Sequence, residues 1–211
     1  MRFRAIVLLL SIIILLCTCN DDRDSWADNY QMEFLDMTTN GSGKTVKAVN
    51  DEGETLNVIN PIGGLTNDTT YRFIAVFVRE GNSIRLSSYS HTISGKPFKL
   101  KDGETAITDP VSIQSIWKAN NYINATLLIS KKTEQHILGF IDRGITANNQ
   151  GAKIARIQLY HNKSNDADAF TATVYASIPL WTYSNSLKKG QDSVYFIINT
   201  AGGLVTYPFL Y

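Results

Sequence analysis

The chain has 211 residues, with 20 Lys and Arg against 19 Asp and Glu, a formal charge of +1. Its cations are scattered apart from pairs such as Lys131-Lys132 and Lys188-Lys189, which argues against the basic stripe that nucleic acid binding needs. Both cysteines, Cys17 and Cys19, sit near the N-terminus, so the body of the chain offers neither a disulfide framework nor a cysteine metal site nor a thiol nucleophile.

Arg2 and Arg4 precede an apolar run at 5–16 that is too short to span a bilayer and has the length of a signal-peptide core. It meets Leu16-Cys17-Thr18-Cys19 and then Asn20-Asp21-Asp22-Arg23-Asp24. This resembles a bacterial lipoprotein signal, in which a cysteine after a small residue is lipidated and becomes the mature N-terminus. Cys17 follows the bulky Leu16 and Cys19 the smaller Thr18, so Cys19 is the expected lipid site and 1–18 the expected signal peptide. Thr18 departs from the Gly, Ala or Ser usual there, and an uncleaved N-terminal anchor is the competing reading. Two or more acyl chains such as palmitate, at roughly 0.8 kcal/mol per buried methylene, hold a protein durably. The acidic run resembles the export tags of Bacteroidetes lipoproteins and reads equally well as a solvated tether. The expected location is the outer membrane, lipid-anchored and facing the cell surface.

From residue 45 onward, short runs of strand-forming residues are broken by Gly, Asn, Asp and Pro, with no helical periodicity, so the fold class is all-β. Turn signals at Asp51-Glu52-Gly53 and Gly81-Asn82 separate 45–49 from 55–59 and 71–79 from 84–92, and a further run at 96–100 leads to Asp102-Gly103. Five short strands built from hairpins suit a small OB-like barrel. After Asp109-Pro110, Ala155, Ile157 and Leu159 alternate with Arg156, Gln158 and Tyr160. Phe170, Ala172, Val174, Ala176 and Ile178 alternate likewise with Thr171, Thr173, Tyr175 and Ser177, until Pro179 ends the run. The nearly continuous apolar runs 71–79 and 122–130 read as core strands of two units. Six or so strands after residue 109 suit an immunoglobulin-like β-sandwich. The expected division is a tether over 19–43, the barrel over 44–108 and the sandwich over 109–211.

The stretch Asp109-Pro110-Val111-Ser112-Ile113, then Trp117, then Tyr122-Ile123-Asn124, resembles the start of the C-terminal domain of the NigD-like lipoproteins of Bacteroidetes. His136-Ile137-Leu138 and Leu159-Tyr160-His161 followed by Asn165-Asp166 extend the likeness, which weakens before Asp109, where Asn50-Asp51-Glu52-Gly53 only loosely echoes the family's acidic signals. The resemblance implies an OB-like barrel ahead of a β-sandwich. The family is named after a gene in a bacteriocin locus, which implies an immunity, export or envelope role and no defined chemistry.

Three constellations stand out. His161, Asn165, Asp166 and Asp168 crowd a polar hairpin at 162–168, where His161, Asp166 and Asp168 are weak metal candidates. The segment lacks the glycine and distal glutamate of a calcium loop, and such residues are ordinary turn formers, so no metal and no cofactor are expected. Trp117 with Lys118, Asn120, Asn121, Tyr122 and Asn124 could stack and hydrogen-bond a sugar, or cover a sandwich edge and make a turn. The three histidines, His91, His136 and His161, accompany no Gly-x-Ser-x-Gly, His-Glu-x-x-His or phosphate-loop motif, and Ser42 in Gly41-Ser42-Gly43 reads as part of a linker. The chain is therefore expected to be no enzyme but a binding or assembly module. Its expected partner is another envelope protein or a bacteriocin-type peptide, met by Arg79, Arg85 and Tyr89 of the 71–92 hairpin together with Trp117, Tyr122 and Asn124. Surface glycan binding is the alternative, which exposure of Trp117 or Trp181 would favour.

Overall fold

Alternation of buried and exposed side chains organises both halves of the molecule, which is known here as a computed structural model describing residues 29–211. The expectations for the signal peptide, Cys17 and Cys19 lie outside those residues. Strands β1 (Tyr30–Thr39), β2 (Thr45–Asn50), β3 (Thr55–Val58), β4 (Thr70–Glu80) and β5 (Ser83–His91) close into a barrel in the order β1-β2-β3-β5-β4, with β3 parallel to β5. This is a five-stranded Greek-key barrel of the OB type. Leu35, Met37, Ala48, Leu56, Phe73, Ala75, Phe77 and Ile84 fill its interior.

The barrel starts earlier than the sequence suggests. Residues 30–39, assigned to the tether, form β1, because Leu35 and Met37 face inward between the polar Asp36 and Thr38. Gly41-Ser42-Gly43 is the turn into β2 and no linker: the Asn40 side-chain oxygen accepts from the Ser42 amide at 3.0 Å, the Ser42 hydroxyl at 2.8 Å and the Lys44 amide at 3.1 Å. The run at 96–100 contributes no barrel strand.

The sandwich consists of two four-stranded sheets. One runs β6 (Ile93–Ser94), β11 (Phe170–Pro179), β8 (Tyr122–Lys131), β7 (Ser112–Lys118); the other runs β13 (Gly203–Leu210), β12 (Ser193–Thr200), β10 (Lys153–Asn162), β9 (Ile137–Ala147). β6 is parallel to β11, and β10 to β12. Ile123, Leu127, Ile157, Leu159, Ile178, Val194 and Phe196 pack between the sheets as their alternation requires. The sandwich also takes in 93–108, which the sequence reading gave to the barrel, since Ile93 pairs with Ala176 and Phe98 bridges to Ile141.

Candidate functional site

Arg72 interrupts the apolar part of β4, well before Arg79 and Glu80 at its end, and its side chain is only 4% exposed. From β4 of the barrel its guanidinium donates to Asp36 at 3.3 Å, to Asp51, to Asn124 Oδ1 at 3.3 Å and to Ser177 Oγ at 3.3 Å. It also stacks over the Tyr122 ring, 3.9 Å from the centroid. Asn124 and Ser177 lie opposite each other on β8 and β11, and the Ser177 hydroxyl donates to Asn124 Oδ1 at 2.6 Å while Asn124 Nδ2 donates to Asp51 at 2.6 Å. The planar, multiply donating arginine head thus rivets barrel to sandwich, a geometry that lysine could not reproduce. Burial pushes the Asp36 carboxyl above its ordinary range although Arg72 opposes it. Burial, with the Asp36 charge adding, pushes Tyr122 up to about 12.

Beside the rivet, the seam between barrel and sandwich opens into a groove of about 430 Å³. Its sandwich wall carries Trp117, Thr126 and Tyr175, and its barrel wall carries Met32, Glu33, Phe34, Asp51 and Glu52. Phe34 packs edge-on against Trp117 at 5.7 Å and Tyr175 at 6.1 Å, leaving Trp117 38% exposed. Asp51 is spent on Arg72, but no cation pairs with Glu33 or Glu52 among the described residues. Burial raises the Glu33 carboxyl, the neighbouring Glu52 and Asp51 charges add to that, and Asn50 and Arg79 oppose it.

On the other side of the rivet lies a second groove, of about 450 Å³, lined by Arg72, His91, Lys96, Tyr122 and Trp181 among others. Trp181 follows Pro179 in a short 3-10 helix, Leu180–Tyr183. Three residues per turn put Leu180 and Tyr183 on the same inward side and Trp181 outside, half-exposed.

A third cluster is closed to solvent. The Asp166 carboxylate accepts from the Lys132 and Thr133 amides at 2.7 and 3.0 Å and faces His136 Nε2 at 3.1 Å. His136 Nδ1 meets His161 Nε2 at 2.9 Å, and His161 Nδ1 donates to the Asp109 carbonyl at 3.0 Å. Burial would raise Asp166, but the backbone donors and His136 outweigh it and hold the carboxyl well below the usual range. This chain pins the loop after β8 to the segment 162–168, which is not the hairpin its polar composition suggested but the crossing from β10 in one sheet to β11 in the other. Asp168 stands apart, exposed and 3.5 Å from Lys163, and among the described residues no group of three or more His, Cys, Asp and Glu could hold a metal.

The family model for the NigD-like C-terminal β-sandwich domain matches residues 96–211. The chain belongs to the NigD-like family. Its fold is similar to that of a NigD-like immunity protein from Bacteroides caccae, at 20% identity and a TM-score of 0.68, over 85% of this chain and 96% of that one. A protein of unknown function from Bacteroides vulgatus matches at 21% identity and TM-score 0.65, over 86% and 90%. A candidate lipoprotein from Bacteroides fragilis matches at 12% identity and TM-score 0.57, over 85% and 96%. At such identities the likeness is one of fold. A comparison with curated proteins finds no match.

The NigD-like chain does not gather the residues singled out in its sequence into one site. Trp117 lines the seam groove, whereas Tyr122 and the fully buried Asn124 belong to the rivet, so Asn124 is no surface contact. Arg79 is gripped by Glu54 through two bonds and Arg85 by Glu80 at 2.8 Å, while Tyr89 is exposed and packs edge-on against Phe73. His161 and Asp166 do meet, through His136, as a structural clasp. Sequence reading missed Glu33, Arg72 and the placement of Trp181; the one legible signal was Arg72 near the start of the apolar run 71–79, which Arg79 ends.

Proposed function

We propose that this NigD-like chain is a lipid-anchored, non-catalytic binding module of the cell envelope whose partner protein seats in the seam groove. The observation that carries this reading is the coincidence of exposed Trp117 with Glu33 and Glu52, two carboxylates that form no ion pair among the described residues, in one groove. Such a groove suits a Lys- or Arg-bearing segment, because aromatic faces and carboxylates both attract a cation. The adjoining β7 is an edge strand hydrogen-bonded to β8 alone, which suits an extended partner. Anchoring at Cys19 in the outer membrane is supported by the signal-like N-terminus and by the likeness to a candidate lipoprotein. The name of the Bacteroides caccae protein, an immunity protein, supports a bacteriocin-type peptide as one such partner.

Crosslinking in intact cells, comparing the native chain with Cys19→Ala and with the Glu33→Gln/Glu52→Gln double variant, tests this reading. A defined protein set captured by the native chain and lost in both variants is the expected result. Capture of no protein by the native chain would overturn it. The exposure of both Trp117 and Trp181 favours a second reading, surface glycan binding, and retained polysaccharide in place of protein would install it.

A further inference from the structure

Trp181 is the shared wall of two depressions. On one side lies the groove of about 450 Å³ that contains Lys96; on the other lies a depression of about 220 Å³ lined by Lys118, Asn120, Asn121, Ser184 and Lys189 among others. The Asn121 carbonyl accepts from the Leu180 amide at 2.8 Å, so the turn carrying both asparagines is tied to the 3-10 helix that carries the indole. Platform and amides are therefore held in fixed relation before any ligand arrives.

The charge of this surface is one-sided. Lys96 places its ammonium 5.2 Å from the Trp181 ring centroid, and Lys118 and Lys189 form no ion pair among the described residues. Among the described residues, Asp36 is the one acidic side chain lining either depression, and it is spent on Arg72 and on the Tyr122 hydroxyl. Three chemistries thus converge: a flat aromatic face, two exposed primary amides that both donate and accept, and cations without counterions.

We propose that the surface around Trp181 binds an acidic saccharide, with a sugar ring on the indole, hydroxyls on Asn120 and Asn121, and carboxylates on Lys96, Lys118 and Lys189. A neutral sugar would leave the lysines without a role. An acidic peptide would use the lysines but has no polyhydroxylated ring for an indole flanked by amides. The larger depression falls within the roughly 300–1,000 Å³ of small-ligand sites. The site lies across the rivet from the seam groove and does not depend on a partner protein there.

The test is titration of the full chain with trigalacturonate, following the Trp181 indole N–H resonance, with maltotriose and hexaglutamate as comparison probes. Trigalacturonate should shift that resonance, and Trp181→Ala, which removes an exposed side chain, should weaken binding by about tenfold. Trp181→Phe should retain part of the affinity because it keeps a ring. Lys96→Gln/Lys189→Gln should also weaken binding by about tenfold and flatten its salt dependence. Equal affinity for maltotriose or for hexaglutamate would overturn the proposal, as would unchanged binding in the folded Trp181→Ala variant or no trigalacturonate binding at all. None of these outcomes bears on protein capture at Glu33 and Glu52, so this proposal and the partner reading fail separately.

Discussion

His136 Nδ1 lies 2.9 Å from His161 Nε2, and the groups at either end of this pair decide where the protons sit. The Asp109 carbonyl can only accept, so His161 donates from Nδ1. The ionised Asp166 can likewise only accept, so His136 donates from Nε2 to it, and the contact between His136 Nδ1 and His161 Nε2 holds a proton between the two rings. Nitrogen-detected NMR should find His161 protonated at Nδ1 and His136 protonated at Nε2.

Burial lowers the His161 pKa from 6.5, and although the Asp109 carbonyl opposes this, the His136 charge reinforces it. The folded ring thus resists a proton that the unfolded ring accepts, so this contribution to stability is present above 6.5 and is lost as the pH falls below it. Asp166, held low, keeps its contribution above 3.8 and yields it only in stronger acid. His161→Gln should reduce stability by about 1–3 kcal/mol and flatten the decline between roughly pH 7 and pH 5, as read by urea unfolding across that range.

Removing the Arg72 side chain would strand Asp36, Asp51 and Asn124 in the seam. Arg72→Ala should therefore lower stability by about 3–5 kcal/mol, the range for breaking a buried charge pair from one side. Arg72→Lys should recover only part of this, because an ammonium cannot reach four acceptors and stack on Tyr122 at once. Amide hydrogen exchange distinguishes a lost rivet from general damage: β4 and β8 should protect as one cooperative unit in the native chain and separately in Arg72→Ala.

Local pattern made the strands legible, and long-range pairing is where legibility ended. The alternation 170–178 and the apolar run 122–130 became β11 and β8, paired in register from Phe170 with Lys131 to Pro179 with Tyr122. β1 was missed because only Leu35 and Met37 mark its inward face while Tyr30, Met32 and Phe34 occupy alternate positions on its other face, and barrel closure completes it as a strand. The rivet was invisible for a different reason: Arg72 and Ser177 are 105 residues apart, and no periodicity links them. Asn124 illustrates the resulting error, since an amide near a tryptophan in sequence looked like a ligand contact until the fold buried it beneath Arg72.

Tyr122 gives the alkaline counterpart. Its hydroxyl is raised from 10.0 to about 12 by burial and by Asp36, whose carboxylate accepts its proton at 3.0 Å. The folded state holds that proton more tightly than the unfolded chain, so the stabilisation is complete below 10.0 and is lost as the pH rises toward about 12. Tyr122→Phe should cost about 1 kcal/mol at neutral pH and remove part of the alkaline loss. Ultraviolet titration should show one late-ionising tyrosine fewer in the variant.

The turn between β1 and β2 tests whether the barrel truly begins at residue 30. Gly43 has a φ of +67°, and a Cβ there would lie 2.2 Å from the Leu65 carbonyl oxygen, so both backbone conformation and space demand glycine. Gly53, in the turn between β2 and β3, has a φ of +87° with nothing near a Cβ, so it is held by conformation alone. Gly43→Ala should therefore cost about 2–4 kcal/mol and Gly53→Ala only about 1 kcal/mol. Gly53→Asn should be milder still, because asparagine tolerates the left-handed region. Equal, small losses at both glycines in chemical denaturation would mean that 41–43 is a linker after all and that the Leu65 segment does not pack on it.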